Sequence, residues 1–370
     1  MTLGLPQVCA LAISHSLFQP TTLQSAIDRL GFIQADPIRS PARAQDLILR
    51  HRVRDYRAGD LERRYPSLDI EEDLLYAYGF LSREVYRLVH PRITTGLPDL
   101  EQRVLASVRT HGPMHPVELD EQFGRERIVN AWGGYSKATK RALEHLHYRG
   151  FLRIARRENG IRIYEAAAPV DESIAPEERL RKLLLVIANV LAPVPDKTLQ
   201  AIAARVRRVT TGVMDHRKAI RELLDTGELE TQPVAGLTYI WPASTMMREA
   251  PPARVRFLAP FDPLVWDRRR FEHLWEWPYR FEAYTPPAKR LRGYYAMPLL
   301  WRERVIGWAN ANVTGQQLDV ELGFVGARPR DRRFDREVEV EISRLRTFLE
   351  LDSVGRSARG PAASTPPRLT

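Results

Sequence analysis

Residues 139–166 read TKRALEHLHYRGFLRIARRENGIRIYEA, and residues 216–243 read HRKAIRELLDTGELETQPVAGLTYIWPA. Shifted by 77, Ala142 falls on Ala219, Leu146 on Leu223, Gly150 on Gly227 and Leu152 on Leu229. Each copy has apolar positions at helical spacing that stop at a glycine able to serve as a left-handed cap. A short strand follows (FLRIARR; ELETQPV), then a glycine-containing turn (Asn159-Gly160; Ala235-Gly236) and a second alternating strand (IRIYEA; LTYIWPA). Asn-Gly between alternating runs is a strong hairpin signal. A helix that delivers into a two-stranded wing is the second half of a winged helix-turn-helix. Helical patterns over Asp99–Arg109 and Pro116–Phe123 complete the first unit, and Leu180–Val190 and Asp196–Arg205 the second.

The N-terminal stretch fits a degenerate third copy. Thr22–Leu30 reads as a helix ending at Gly31, Phe32–Pro37 as a brief strand stopped by proline, and Leu61–Tyr65 and Asp73–Leu88 as helices. After Arg254 the texture changes. Val255–Leu258, Gly293–Leu300, Val305–Asn312 and Leu318–Leu322 are strand-like, which predicts an antiparallel sheet or small barrel, and Glu337–Leu351 closes as a helix. The predicted fold class is therefore α+β: three tandem winged units, then a barrel-like domain. The boundaries are 1–95, 96–170, 171–245 and 246–352, and the composition of 353–370 predicts a disordered tail.

A chain of 370 residues has room for two to three domains at roughly 150 residues each. With 44% hydrophobic and 28% charged residues it is neither wholly disordered nor short of core material. The longest nearly apolar run, Leu183–Val194, falls well below the roughly 20 residues needed to cross a bilayer. MTLGLPQVCALAIS has no basic segment ahead of its apolar part and is not read as a signal peptide. The single cysteine, Cys9, allows neither an internal disulfide nor a cysteine zinc site. These features predict a cytoplasmic, nucleoid-associated protein, expected to be monomeric.

The formal charge of +10 favours a polyanionic partner, nucleic acid first and an anionic membrane second. Only six of the 56 cations are lysine, an arginine excess that GC-rich coding also produces. Winged helices meet DNA through the third helix and the wing. Lys137, Lys140 and Arg141 at the head of one such helix, and Arg217 and Lys218 at the other with Thr210-Thr211-Gly212, are candidate DNA contacts. The same residues would serve as solvated faces if the units only pack. Residues 39–64 carry eight arginines against four acids, either a solvated face or a stripe that tracks phosphates.

Three blocks are more specific. Gln34-Ala35-Asp36-Pro37-Ile38 follows a helix ending Leu30-Gly31, with Arg39 and Arg43-Ala44 soon after. Pro260–Arg268 reads PFDPLVWDR. Tyr284-Thr285-Pro286 leads through Lys289-Arg290 to Gly293-Tyr294-Tyr295 and Pro298-Leu299. In this order, over roughly residues 20–350, the chain resembles the winged-helix DNA glycosylases that unhook alkylation damage and interstrand crosslinks, the AlkZ/YcaQ-like family. The resemblance implies a monofunctional DNA glycosylase with three winged helices and a small β-barrel around the duplex, acting on N7-alkylated purines. The family's catalytic element is Gln-x-Gln in one branch and Gln-x-Asp in another, and this chain carries the second at Gln34 and Asp36. Its barrel hairpin more often shows Gly-Arg-x-Asp where this chain has Gly307-Trp308-Ala309-Asn310.

For the substrate that the resemblance implies, the chemistry can be argued from the residues. Alkylation at N7 makes guanine cationic and already a good leaving group, so what remains is to stabilise a cationic sugar and aim a water at C1′. On a strand, positions i and i+2 share a face, which predicts that Gln34 and Asp36 project together. Asp36 would stabilise positive charge and act as base, and Gln34 would fix the water or the lesion. On these residues alone, a turn held by Asp36 with Gln34 satisfying backbone is the stronger account; the distant blocks reverse that and decide for catalysis. Asp262 and Asp267 are read as turn holders rather than metal ligands, and Lys289 as a phosphate contact. Arg268 joins the candidate DNA contacts. No GxxxxGK[ST] loop is present, and no cofactor or metal is expected. The rival readings are a tandem winged-helix transcription regulator without catalysis and a metal-dependent nuclease using Asp36 with Asp262 or Asp267.

Overall fold

The computed structural model describes residues 3–92, 96–129, 133–169, 173–210, 215–245 and 254–351, with side chains 208–210 excepted. The predicted tail at 353–370 and the Thr211-Gly212 pair lie outside the described residues. The chain begins with α1 (Leu5–Ser16), α2 (Leu23–Leu30), β1 (Phe32–Gln34), α3 (Ala44–Leu49) and α4 (Asp60–Arg64). The hairpin β2 (Ile70–Leu74) and β3 (Tyr78–Ser82) leads into α5 (Arg83–Val89). Next come α6 (Asp99–His111), α7 (Pro116–Phe123), β4 (Arg127–Val129), β5 (Tyr135–Lys137), α8 (Ala138–Tyr148), β6 (Leu152–Glu158) and β7 (Ile161–Ala166). The second repeat follows as α9 (Pro176–Val190), β8 (Val194–Pro195), α10 (Asp196–Thr210), α11 (His216–Asp225), β9 (Leu229–Val234) and β10 (Leu237–Pro242). The remainder is β11 (Val255–Phe257), α12 (Pro263–Trp266), α13 (Arg268–Trp275), β12 (Met297–Trp301), β13 (Arg304–Thr314), β14 (Gln317–Phe324) and α14 (Arg332–Phe348).

The packing divides the chain differently from its linear reading. Residues within 1–22, 36–58 and from 246 onward form one unit, and residues 23–35 and 59–245 form the other. The N-terminal hundred residues are thus shared between the two.

In the second unit the repeat is realised as a helix running into a hairpin, twice. Ala142, Leu146 and Leu152, with their counterparts Ala219, Leu223 and Leu229, are all buried. Both predicted caps are left-handed, Gly150 at φ +79° and Gly227 at +74°. A Cβ on Gly150 would sit 2.5 Å from Nδ1 of His90, so that position admits nothing larger. In the second copy β8 adds to the hairpin, giving the sheet order β8-β10-β9.

One predicted helix is corrected here. The segment predicted as a helix over Asp73–Leu88 is the β2–β3 hairpin followed by α5, in a sheet of order β1-β3-β2. The reason is non-local. β3 lies so close to β1 that a Cβ on Gly79 would fall 2.2 Å from the Ile33 carbonyl oxygen, which only glycine avoids. β2 buries Glu71, Glu72 and Asp73 in succession, which is tolerable only with partners. Glu72 accepts from Tyr78 Oη at 2.6 Å and Arg162 Nε at 3.0 Å and also pairs with Arg157. Arg153 Nε donates to both oxygens of Glu71 at 2.9 and 3.0 Å. Asp73 takes Nε2 of His90 at 2.6 Å and Nη2 of Arg92 at 3.0 Å. Burial alone would push the Asp73 carboxyl up, but the His90 hydrogen bond and the Arg92 charge outweigh it and hold it down at about 2. Arg153, Arg157 and Arg162 of the β6–β7 hairpin are therefore committed to the β2 acids, and Arg156 pairs with Glu158 beside it, rather than facing the polyanion expected for a wing.

The first unit contains a helix not foreseen, α1, which buries Val8, Leu11, Ala12 and Ile13. Its sheet is a four-stranded antiparallel meander, β11-β12-β13-β14, open at both ends rather than a closed barrel. The last helix starts earlier than predicted, because Asp331 caps it by accepting from Arg333 N at 2.9 Å.

At the centre of this unit is Arg52, fully buried with Asp262. Its Nη1 and Nη2 donate to the two carboxylate oxygens at 2.8 and 2.9 Å. Nε donates to Ser16 O, Nη1 also to Ile48 O, and Nη2 also to Ser16 Oγ. All five guanidinium donors are satisfied. Asp262 in turn accepts from Leu264 N at 3.0 Å, capping α12. Removing one partner of such a pair strands a buried charge, which costs about 3–5 kcal/mol. Arg52→Ala is expected to lose that much in urea unfolding; a loss below about 1 kcal/mol would show the pair to be dispensable.

Candidate active site and nucleic-acid contacts

The Gln34-Ala35-Asp36 element begins on β1, where Gln34 pairs with Gly79. Ala35 N still donates to Tyr78 O at 2.9 Å, after which the ladder ends. The strand is thus shorter than predicted, and Asp36 lies beyond it in a turn. Its Oδ1 accepts from Ile38 N at 2.9 Å, the Asx-turn geometry that Asp before proline favours. Two residues of chain hold Gln34 and Asp36 within about 7 Å at the backbone, but a common strand face does not orient them.

Each side chain keeps hydrogen-bonding capacity in reserve. Oε1 of Gln34 is buried without a partner among the described residues. Asp36 is half-buried, and burial raises its pKa above the ordinary 3.8, only partly offset by the Ile38 backbone bond. A carboxylate that is desolvated and lightly bonded is a stronger base than a surface one.

Tyr295 is the residue that sequence reading missed here. It is 2% exposed, and its hydroxyl has no hydrogen-bond partner among the described residues. Burial first, then the Asp36 charge, keep its proton on well above the usual phenol range. It is a buried donor within the field of Asp36. The two adjacent rings differ in burial: in the turn before β12, Tyr295 is turned inward while Tyr294 stays 42% exposed.

The loop before Tyr295 presents Tyr284 and Leu291, each 80% exposed, with exposed Lys289. The guanidinium of Arg290 lies 5.0 Å from the Tyr294 ring centroid. The loop is built firmly. Glu282 accepts from the backbone N of Leu291 and Arg292 at 2.9 and 2.8 Å, and Asn310 donates to Arg292 O at 2.6 Å. Gly293 sits at φ +117°, where a Cβ would strike the Asn310 amide at 2.4 Å. Trp308 stacks on Trp277 at 6.0 Å, and a Cβ on Gly323 would meet its ring. The two residues that depart from the resembled hairpin, Trp308 and Asn310, are thus engaged within the fold.

The candidate DNA contacts separate into groups. Arg39, Arg141 and Arg217 are exposed and form no ion pair among the described residues. Lys140 and Lys218 are exposed beside Glu144 and Glu222, each at 3.8 Å, pairs that cost little to open. Lys137 bonds Asp120, which also accepts from Thr139. Arg43 is half-buried at the head of α3. Arg268 is turned inward: Nη1 and Nη2 donate to Val265 O and Pro260 O at 2.7 and 2.9 Å, and its guanidinium lies 4.5 Å from the Tyr279 ring. Asp267 caps α13 through Arg269 N and Arg270 N, so the PFDPLVWDR block is a structural bend. Of the arginines between 39 and 64, Arg52 is fully buried in its ion pair and cannot track phosphates, and Arg50 is paired with Glu341.

A family model for the DNA glycosylase AlkZ-like proteins matches residues 27–348. The chain belongs to the AlkZ-like DNA glycosylase family. Among solved structures it is similar to the Streptomyces sahachiroi DNA glycosylase AlkZ, at 16% identity and a TM-score of 0.65, covering 98% of this chain and 100% of that one. At that identity the likeness speaks for the mixed α+β fold. The family makes this protein a DNA-acting glycosylase, and no helix among the described residues is long and apolar enough to cross a membrane. If the Tyr295 hydroxyl orients Asp36 or its water, Tyr295→Phe lowers the single-turnover excision rate about tenfold, the worth of one hydrogen bond, with DNA affinity unchanged. An unaltered rate would assign the hydroxyl to packing alone.

Proposed function

We propose that this glycosylase hydrolyses the N-glycosidic bond of cationic N7-alkylated purines in duplex DNA, with N7-linked interstrand crosslinks as candidate substrates. The observation that carries the reading is Asp36: half-buried, raised in pKa, and, among the described residues, bonded through one oxygen to its own turn. The Gln-x-Asp element supports the branch of the family with that catalytic pair. We read the two helix-plus-hairpin repeats as winged-helix units, and the segment around α2 and the β1-β3-β2 sheet as a degenerate third.

The reaction asks little acid of the enzyme. As the C1′–N9 bond breaks, its electron pair moves into the purine and cancels the charge that alkylation placed on the ring. Positive charge develops on the sugar, where the Asp36 carboxylate is the opposing charge. The water oxygen bonds to C1′ and its proton passes to Asp36, a general-base contribution of about 10²–10⁴-fold. Gln34, with its unpaired Oε1, can hold that water or the lesion. The products are free alkylpurine and an abasic site, with the strand intact, as for a monofunctional enzyme. The chemistry uses no metal or cofactor. Arg39, Arg43, Lys137, Lys140, Arg141, Arg217 and Lys218 are the proposed phosphate contacts; Arg268, spent on backbone carbonyls, is better assigned to the bend.

The test is an end-labelled duplex with one N7-methylguanine, incubated with enzyme in EDTA, treated with hot alkali and resolved on a denaturing gel. A lesion-specific cut that requires alkali and falls at least about 10²-fold in Asp36→Asn is the expected result. Tight binding without cleavage would favour a regulator, and cleavage abolished by EDTA a nuclease.

A further inference from the structure

The first unit contains a cavity of about 460 Å³ bordered by the ends of α1 and α14, the segment 50–57 and the start of β11. Six arginines line it: Arg50, Arg54, Arg57, Arg254, Arg256 and Arg344. Against them stand two carboxylates, Asp55 and Glu341. The C-terminal ends of α1 and α14 each add about half a negative charge. A surplus of about three positive charges remains within one cavity.

The only buried carboxylate among the lining residues is overdrawn. Glu341 accepts from Arg50 Nη2 at 2.5 Å and Phe257 N at 3.1 Å, and lies 3.9 Å from Arg344 Nη1. Arg256, 8% exposed, is left with Nη1 buried and unbonded among the described residues. Burial, opposed by Glu341 but reinforced by Arg254, Arg344 and Arg52, lowers its pKa to about 10. His51 cannot relieve this, since burial and Arg50 keep it neutral while Nε2 donates to Phe257 O at 3.0 Å. Arg54 and Arg254 form no ion pair among the described residues. A buried guanidinium with an idle donor is costly unless an anion completes it, and convergent guanidinium forks match phosphate oxygens. The cavity exceeds a single phosphate in volume and has an apolar wall at Phe348.

We propose that this cavity binds the phosphate group of a phosphorylated ligand, either a DNA phosphate or a free phosphorylated nucleoside. It shares no residue with the Gln34/Asp36 element. The test uses inorganic phosphate and AMP as probes, adenosine as the uncharged control, and the full-length chain as wild type and as the Arg54→Gln/Arg344→Gln double variant. Both substituted side chains are exposed, and thermal melting checks that the fold persists. For a free ligand, AMP binds the wild type in calorimetry, adenosine does not, and the double variant loses at least about tenfold in affinity. For a DNA phosphate, AMP binding is weak. The double variant then flattens the dependence of log K on log salt for undamaged duplex by about 0.9 per lost contact. If AMP and phosphate do not bind and the salt slope is unchanged, the proposal is wrong. Excision of N7-methylguanine, measured separately, shows whether the glycosylase reading stands or falls on its own.

Discussion

A single buried guanidinium carries much of this protein's architecture. Arg52 joins the end of α1 through Ser16, the end of α3 through Ile48, and the bend at Asp262, three stretches that the intervening second unit separates along the chain. Taking both charges out of water costs several kcal/mol per ion, recovered only because every donor has an acceptor and the carboxylate also caps a helix. Such a pair tolerates little rearrangement. It anchors the C-terminal part of the 36–58 segment within the first unit.

The same principle, buried charge with a full set of partners, recurs in the second unit. Glu71, Glu72 and Asp73 on β2 are each matched by arginines or histidine from elsewhere in that unit. Net charge of +10 says nothing of this partition. Much of the arginine that suggested a polyanion partner is used internally, and the exposed cations at the heads of α8 and α11 and after Asp36 are the ones proposed to meet DNA. The cavity lined by Arg256 is the exception, where positive charge is concentrated and not balanced.

The repeat at 139–166 and 216–243 was legible because it is local: apolar spacing, a glycine cap and a turn each lie within thirty residues. The β2–β3 hairpin was not, because a run such as IEEDLLYAYGFLS has helical spacing and its strand state depends on arginines some eighty residues away. The role of Arg268 was hidden for a similar reason, since its acceptors are carbonyls of a bend that side-chain pattern does not reveal. At the site, Gln34 and Asp36 could be named from their element, but their shared strand face could not survive the proline that ends β1. Tyr295 has no role legible in the Tyr284–Leu299 stretch; its hydroxyl, without a partner among the described residues, gains one from its place in the field of Asp36.

The central claim is that burial makes Asp36 a working base. A carboxyl whose pKa is raised must still lose its proton before it can accept one from water, so the rate should climb with pH through that raised value and then level. The most direct measurement is the single-turnover release of N7-methylguanine from duplex DNA as a function of pH. We predict an acid limb with its midpoint above the ordinary 3.8 and absent from Asp36→Asn. A wild-type rate that is flat down to pH 4, or a limb that persists unchanged in the variant, would contradict the account.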